Sequence, residues 1–359
     1  MKTAVLAFTS LAVPFAALAD PSDVDQFGNP VGYVEMEKDA PVTDDDLAYA
    51  MLDLAMEQEA KLGAINQYYH HRTPMELDKQ PAVLMNRDTL YSFAIVDASH
   101  GLTVRIPEVD GRYISTQFME HDHTTKSVEY GAGEYVIEPN STTKFIVVNT
   151  RIQVNPNDPE DVAKVNTFQD QYEMEFPEGY TPDEFKVTNW NMDELKALKE
   201  KYVKLSDTRG LSNTMGARGE VSLEDRNVGA AAATGLLPTE DAWYSFNTYD
   251  VDQANCYTAD YAVPELRDPD LGFYSMTIYG DDYYLHTEAG SSLSNHEIAL
   301  NEDGKTFTLW FGSEETCGAE AQNLLIAPTD NWTTTFRVYM PGESVQNDEY
   351  ELPEPQPAG

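Results

Sequence analysis

The spacing of apolar residues along the chain changes between helical and strand-like, and these changes define its regions. From Leu47 to Ile65 the mostly apolar positions recur at helical spacing and predict a helix from about Thr43 to about Tyr69. From Leu90 to Val148 the spacing is that of short strands separated by glycine-containing turns. The connections are too short for crossover helices, which favours antiparallel pairing.

Helical spacing returns in the middle of the chain, and strand spacing returns in its last third. Helix-starting residues occur at Asp158 and Asn191. Residues 206–240 are rich in glycine and alanine, which is typical either of a linker or of a tightly packed helix of small residues. Strand-like runs follow from Trp243 onward. The pattern predicts a β-rich α+β fold with antiparallel sheets, sandwich-like or jelly-roll-like, an N-terminal helix and a central helical segment.

The two ends of the chain depart from this pattern. Residues 1–19 have a lysine, an apolar run and small residues before Asp20, which predicts a secretory signal peptide. Residues 20–42 are polar with three prolines and predict an extended arm. Residues 346–359 are acidic and proline-rich and predict a disordered tail. No other apolar run is long enough to span a membrane, so we expect a periplasmic or secreted protein without a membrane span in the mature chain.

The composition is strongly acidic, with 62 acidic and 23 basic residues and a formal net charge of −39. Such an excess opposes binding to nucleic acid or to anionic membranes, so neither is an expected partner. In an oxidising compartment Cys256 and Cys317 either pair or remain free, and the sequence leaves both alternatives open. It also leaves the oligomeric state open.

Three blocks of sequence occur in a characteristic order. The first is NRDTLYS at 86–92, followed by GRY at 111–113; the second is GFYSMTIY at 272–279; the third is NLLIAP at 323–328, followed by FRVYMP at 336–341. Together they resemble a bacterial two-domain family, domain of unknown function 1254 followed by domain of unknown function 1214. Three positions depart from the family pattern: Tyr274 and Leu324 replace tryptophan, and Ile326 replaces proline.

The resemblance implies two domains packed together, but no general activity. The first domain is expected at 43–175 and the second at 241–345, with 176–240 as a helical and small-residue connection. Within the first block, a turn before a strand can direct the amide of Asn86, the guanidinium of Arg87 and the carboxylate of Asp88 into one cleft. The alternative is that Asp88 caps the turn and Arg87 neutralises a neighbouring acid. A buried arginine can hold an anion through two hydrogen bonds. The predicted ligand-binding residues are Asn86, Tyr91, Arg112, Arg151 and Arg337.

A second polar cluster, EHDH at 120–123, is the most metal-like part of the sequence. On a strand, His121 and His123 would share a face and could bind one divalent metal ion. The alternative is a pair of solvated histidines at a strand end. The predicted catalytic residues are Asp88, His121 and His123. We therefore expect an exported protein with a small-molecule pocket, either a hydrolase that uses a carboxylate, a histidine or a bound metal, or a non-catalytic ligand-binding or structural envelope protein.

Overall fold

The computed structural model describes residues 40–80, 82–140 and 142–358 of the chain. The predicted signal peptide at 1–19 and the predicted arm up to residue 39 lie outside the described residues. Within the described part, the α-helices are α1 (Leu47–Lys61), α2 (Pro159–Gln169), α3 (Met192–Arg209), α4 (Leu223–Ala232), α5 (Glu314–Cys317) and α6 (Glu343–Gln346), and Leu77–Lys79 form a 3₁₀ turn. Both predicted helix starts are confirmed, because the side chains of Asp158 and Asn191 accept hydrogen bonds from amides of the first turn.

In chain order, the strands of the described residues fall into two groups. The first group precedes α2, and the second follows α4. The first group is β1 (Tyr69–His70), β2 (Thr89–Asp97), β3 (Leu102–Ile106), β4 (Ile114–Glu120), β5 (Thr125–Tyr130), β6 (Gly133–Ile137) and β7 (Phe145–Gln153). A short β8 (Glu173–Glu175) follows α2. The second group is β9 (Ala242–Thr248), β10 (Tyr257–Ala262), β11 (Phe273–Tyr279), β12 (Ser292–Ser294), β13 (Thr306–Gly312), β14 (Leu324–Ile326), β15 (Thr333–Tyr339) and β16 (Gln356–Pro357).

The first domain is built around a sheet with the strand order β1-β2-β7-β4-β5, which is antiparallel throughout. One face of this sheet packs against α2 and a smaller sheet of order β6-β3-β8. Alternate apolar residues of β2 and β7, such as Leu90 and Val148, point into that core.

The second domain is a sandwich of two sheets, with strand orders β12-β11-β15-β9 and β14-β13-β10-β16. Its core is rich in aromatic residues; Phe307, Phe336 and Trp332 are fully buried there. Pairing is antiparallel except between β13 and β14, which run parallel. The predicted β-rich α+β fold with antiparallel sheets in two packed domains is confirmed.

The helices α1, α3 and α4 form a layer around a core that includes Leu47, Leu195 and Val228. Of the two alternatives for residues 206–240, the helix of small residues is found, as α4. A side chain at Gly229 would come within 2.8 Å of the Thr214 carbonyl oxygen, so α4 packs closely there. Among the described residues, no helix combines the length and the hydropathy needed to span a membrane.

The predicted end of the first helix is wrong. α1 ends at Lys61, because Gly63 adopts a φ of +97°, a left-handed conformation that commonly ends helices. The chain then turns to the sheet, where the Ala64 carbonyl accepts a hydrogen bond from the Ile95 amide at 2.7 Å. His70 therefore lies in β1 rather than at a helix end.

The prediction of a disordered tail is also wrong. β16 pairs with β10, and the Tyr350 hydroxyl donates to the Ala262 carbonyl at 2.6 Å. Tyr350 and Leu352 pack against the second domain's core. The average composition of this tail is that of a disordered chain. Burial of the apolar surface of Tyr350 and Leu352 nevertheless favours its docking on the second domain.

Cys256 and Cys317 form a disulfide bond, so pairing is the alternative that the structure adopts. The bond joins the residue before β10 to the end of α5. The Cys256 carbonyl also accepts a hydrogen bond from Ala358 at 2.8 Å. The disulfide and the tail thus stabilise the same edge of the second domain.

Candidate ligand site between the two domains

One face of the first domain's large sheet carries a row of polar side chains. Tyr91 on β2, Arg151 on β7 and Ser115 on β4 lie opposite one another in the strand register. Because alternate residues of a strand share a face, Asn149 and Gln153 lie on the same side as Arg151. All of these residues are buried except Tyr91, which is partly exposed. This face is the first wall of the candidate site.

The second domain supplies a similar wall. Ser275 on β11, Arg337 on β15 and Tyr244 on β9 lie opposite one another in register. Tyr339 shares their face of the sheet and is buried, whereas Tyr244 is partly exposed. The intervening residues, such as Met276, point into the second domain's core instead. The sheet is therefore apolar on one side and polar or aromatic on the other.

The segment from Leu84 to Asp88 connects the two walls. The Asp88 carboxylate accepts a hydrogen bond from the Ser275 hydroxyl, and the Asn86 amide donates to the Tyr339 hydroxyl at 2.5 Å. Arg337 donates to the Leu84 carbonyl at 2.9 Å. Leu84 has a φ of +56°, a left-handed conformation that costs a residue other than glycine about 1 kcal/mol. Side chains of the second domain therefore hold the predicted turn in place.

The charges of this interface centre on Asp88 and Arg337. Both are buried, with 1% of Asp88 and 3% of Arg337 exposed, and they lie within electrostatic range of each other. Arg337 also donates to Thr277 Oγ1 and to the Tyr279 hydroxyl, each at 2.9 Å. Burial, reinforced by the charge of Asp88, raises the pKa of Tyr339 well above its usual value. The Tyr339 phenol therefore stays protonated and can donate a hydrogen bond.

Arg151 is the other buried cation of the site, with 4% of its surface exposed. It donates to two neutral oxygen atoms, Gln117 Oε1 at 3.1 Å and the Gly235 carbonyl at 2.7 Å. Its guanidinium carbon lies 5.5 Å from the centre of the Tyr91 ring. Within the described chain, no carboxylate forms an ion pair with Arg151.

Several buried polar atoms on the same strand face lack hydrogen-bond partners among the described residues. They are Asn149 Oδ1 and both side-chain polar atoms of Gln153. Asn149 and Gln153 flank Arg151 on β7. Buried polar groups in proteins are nearly always hydrogen-bonded, so such a cluster indicates a place where another polar molecule binds.

The structure brings five predicted site residues together, and it separates the others from them. Asn86, Asp88, Tyr91, Arg151 and Arg337 lie at the domain interface. Arg112 instead forms ion pairs with Asp110 at 2.6 Å and Asp161 at 2.8 Å. Its guanidinium is thus occupied by acids of its own domain, which gives Arg112 a structural position.

The premise that His121 and His123 share a strand face is wrong. β4 ends at Glu120, and His123 adopts a φ of +67° in the turn that follows. His121 Nε2 pairs with Asp53 of α1 at 2.5 Å, whereas His123 Nε2 accepts a hydrogen bond from the Gly235 amide at 2.9 Å. Within the described ranges, no group of three or more His, Cys, Asp or Glu side chains is arranged to hold a metal ion.

A small cavity of about 30 Å³ lies beside His123, bordered also by Thr214, Arg218 and Arg226. A water molecule needs about 10–15 Å³, so this space accommodates about two waters. Arg218 and Arg226 both form ion pairs with Asp122. The cavity is therefore too small for an organic ligand, and the charges of both bordering arginines are compensated.

His123 makes the stability of the protein depend on pH. Burial, reinforced by the charge of Arg226, lowers the pKa of His123 to about 4, whereas an unfolded histidine titrates near 6.5. The neutral ring stabilises the fold fully above pH 6.5, and this contribution is lost as the pH falls towards 4. At pH 5 the loss is about 2 kcal/mol. We expect His123→Gln, measured by urea unfolding between pH 7 and 4, to remove this part of the pH dependence.

The exposed His100 provides the control, because it pairs with no carboxylate among the described residues, and His100→Gln should reproduce the wild-type pH profile. Comparing the two variants separates His123 from the other titrating groups. Parallel stability profiles for the wild type and His123→Gln would contradict the assignment.

Sequence reasoning missed several residues of the interface, chiefly Ser275, Tyr339, Tyr244, Asn149 and Gln153. A signal existed for Ser275, because Ser275 and Thr277 alternate with apolar residues in GFYSMTIY, which is typical of a strand with one polar face. Tyr339 likewise follows Arg337 by two positions. Tyr244 carried no comparable signal.

The fold and the interface define a class: a β-rich protein of two packed domains with buried polar side chains between them. Comparison with known families identifies the domains. The model described as "Protein of unknown function (DUF1254)" matches residues 65–132, and the model described as "Protein of unknown function (DUF1214)" matches residues 252–343. The chain thus carries both regions, the first preceding the second, as the three sequence blocks predicted.

One solved structure supports the same fold. The VPA0106 protein from Vibrio parahaemolyticus is similar over 88% of this chain and 100% of its own, with a TM-score of 0.65 and 18% sequence identity. A putative uncharacterized protein from Burkholderia cenocepacia matches 88% of this chain and 87% of its own, with a TM-score of 0.46 and 12% identity. No curated protein matched the chain. At these identities the likeness concerns the fold alone.

Proposed function

We propose that the protein is exported and that it binds a small molecule between its two domains. The observation that carries the proposal is the meeting of two polar sheet faces at a buried interface, with partnerless polar atoms on Asn149 and Gln153. Leaving such atoms buried without a partner costs roughly 1–3 kcal/mol each. Apolar packing between the domains is already supplied by Tyr113, Phe273 and Tyr339, so docking does not require the partnerless polar atoms, and the arrangement favours a ligand.

Two partly exposed tyrosines lie near Arg151. Tyr91 and Tyr244 come from different domains, and both lie within electrostatic range of Arg151. Neither hydroxyl forms a hydrogen bond to another described residue. Two phenols without protein partners beside a buried arginine are suited to bonding with a bound molecule.

The contacts of Asp88 favour binding over hydrolysis. Its carboxylate accepts hydrogen bonds from Ser275 and, at 3.5 Å, from Tyr339. Among the described residues it has no imidazole partner, since His121 and His123 are bound to other groups. A serine that is activated for attack needs a general base aligned with its hydroxyl, and histidine is the usual one. We therefore prefer a ligand-binding protein to a hydrolase.

The disulfide supports the proposal of export, because disulfides persist in oxidising compartments. Mature protein that begins at Asp20, measured as intact mass, would agree with export. Retention of residues 1–19 would contradict it.

A thermal-shift screen tests the binding site, with a library of neutral, cationic and anionic small molecules. A ligand present at about a hundred times its dissociation constant should stabilise the protein by about 2.7 kcal/mol. Tyr91→Phe/Tyr244→Phe removes two hydroxyl groups near Arg151 and should weaken binding of a hit by about tenfold. The matched control is Tyr49→Phe, because Tyr49 lies on α1 against His121.

Three outcomes would contradict the proposal, and each has a different meaning. A hit whose affinity is the same in Tyr91→Phe/Tyr244→Phe and the wild type binds elsewhere. A library without any hit would favour the structural envelope role. Turnover of an ester or amide hit would replace the binding proposal with the hydrolase alternative.

A further inference from the structure

Arg151 differs from most arginines of this protein in its partners. In a chain with 62 acidic and 23 basic residues, a carboxylate partner is readily available to any cation. The arginines of the described chain that pair with at least one carboxylate are Arg72, Arg105, Arg112, Arg209, Arg218, Arg226 and Arg267. Arg151, although buried, is held only by neutral oxygens. The many acidic residues of the chain therefore provide no carboxylate partner for Arg151 among the described residues.

The site as a whole carries an excess positive charge. Arg151 and Arg337 each contribute +1 and Asp88 contributes −1, which leaves +1. Arg87 of the connecting segment is also buried without an ion pair among the described residues, but it donates to the Met75 carbonyl at 2.8 Å and lies within electrostatic range of Glu288, so its charge is counted with that acid. A neighbouring pair, Asp241 and Arg267, joined at 3.1 Å, adds no net charge. A buried cation without a counter-ion is costly unless a bound anion compensates it.

We propose that the ligand of the interdomain site is a small carboxylate monoanion and that Arg151 is its counter-ion. This inference rests on the proposed function. A guanidinium has more N–H donors than Gln117 and Gly235 engage, and its planar fork matches a carboxylate. The hydroxyls of Tyr91 and Tyr244 are further donors. One negative charge neutralises the site, whereas a phosphate dianion would reverse its charge.

The aromatic rings around Arg151 suit a carboxylate with an apolar or aromatic body. Tyr91 stacks on Phe93, with ring centres 5.7 Å apart, and both rings are partly exposed. Aromatic side chains next to a cation provide an apolar surface beside the charged anchor. Benzoate is therefore a suitable probe, with benzamide as its neutral match and phenyl phosphate as its dianionic match.

Calorimetric titration of the wild-type protein with these three probes tests the ligand class. Benzoate is expected to bind about tenfold or more tightly than benzamide, because a charge-assisted hydrogen bond replaces a neutral one. Phenyl phosphate is expected to bind more weakly than benzoate. Arg151→Met keeps an apolar stem and should abolish the preference for benzoate over benzamide.

A stability measurement without any ligand provides an independent readout. Arg151→Met removes a buried cation that has no counter-ion, so its melting temperature should equal or exceed that of the wild type. The matched variant Arg337→Met removes the partner of Asp88 and should lower the melting temperature. Destabilisation by Arg151→Met as large as that by Arg337→Met would mean that the chain itself supplies a counter-ion, which would overturn the inference.

The outcomes separate this inference from the proposed function. If benzamide and other neutral compounds bind as well as benzoate and the Tyr91→Phe/Tyr244→Phe variant weakens them, the site stands and the carboxylate class is refuted. If phenyl phosphate binds most tightly, the monoanion is refuted. If benzoate binds equally to the wild type and Arg151→Met, Arg151 is not the counter-ion.

Discussion

Asp88→Asn is expected to lower the free energy of unfolding by about 3 kcal/mol, because removing one partner of a buried pair of charges leaves the other uncompensated. The Asp88 carboxylate accepts hydrogen bonds from Ser275 and Tyr339 of the second domain and lies within electrostatic range of Arg337. Asparagine has nearly the same shape but no charge, and its amide presents donors where acceptors are needed. The loss should therefore appear as weaker packing of the two domains.

Urea unfolding of Asp88→Asn beside Asp260→Asn measures this effect. Asp260 is an exposed acid on β10 that accepts a hydrogen bond from Thr308 at 2.6 Å, so its variant should change stability by less than about 0.5 kcal/mol. In a double-mutant cycle, Arg337→Gln should cost less in the Asp88→Asn background than in the wild type. Additive effects of the two substitutions would show that the charges do not interact.

Replacing both cysteines by alanine is expected to lower the free energy of unfolding by about 4 kcal/mol in the chain-entropy model. Cys256 and Cys317 are 61 residues apart, so the disulfide restricts a long loop in the unfolded chain. This loop contains β10 to β13, which supply much of the second domain's core. The second domain should therefore depend on the cross-link.

Reduction of the wild type provides the control for this double variant. A reductant should lower the denaturation midpoint of the wild type to about that of Cys256→Ala/Cys317→Ala and should leave the variant unchanged. The comparison separates the cross-link from lost packing of the sulfur atoms. An unchanged midpoint of the reduced wild type would contradict the expected contribution.

The candidate site was partly predictable because some of its residues lie in one local block. Asn86 and Asp88 lie just before a strand and Tyr91 lies within it. Their position in one local block predicted that their side chains line a common cleft. The prediction that His121 and His123 share a strand face failed because one backbone angle decides their geometry. His123 adopts a left-handed conformation, so the period-two alternation that joined it to His121 does not apply.

The sequence alone determined the β-rich class, most of the strand positions, the two helix starts at Asp158 and Asn191, and the presence and order of the two family regions. These features depend on local spacing, capping residues and short blocks, which act within a few residues. Only the tertiary structure decided which strand faces meet. Asp88 and Ser275 are 187 positions apart, and Arg151 meets Gly235 across 84. No local rule specifies such contacts, because they result from the packing of whole sheets, in which the apolar faces are buried in separate cores and the polar faces are left opposite each other.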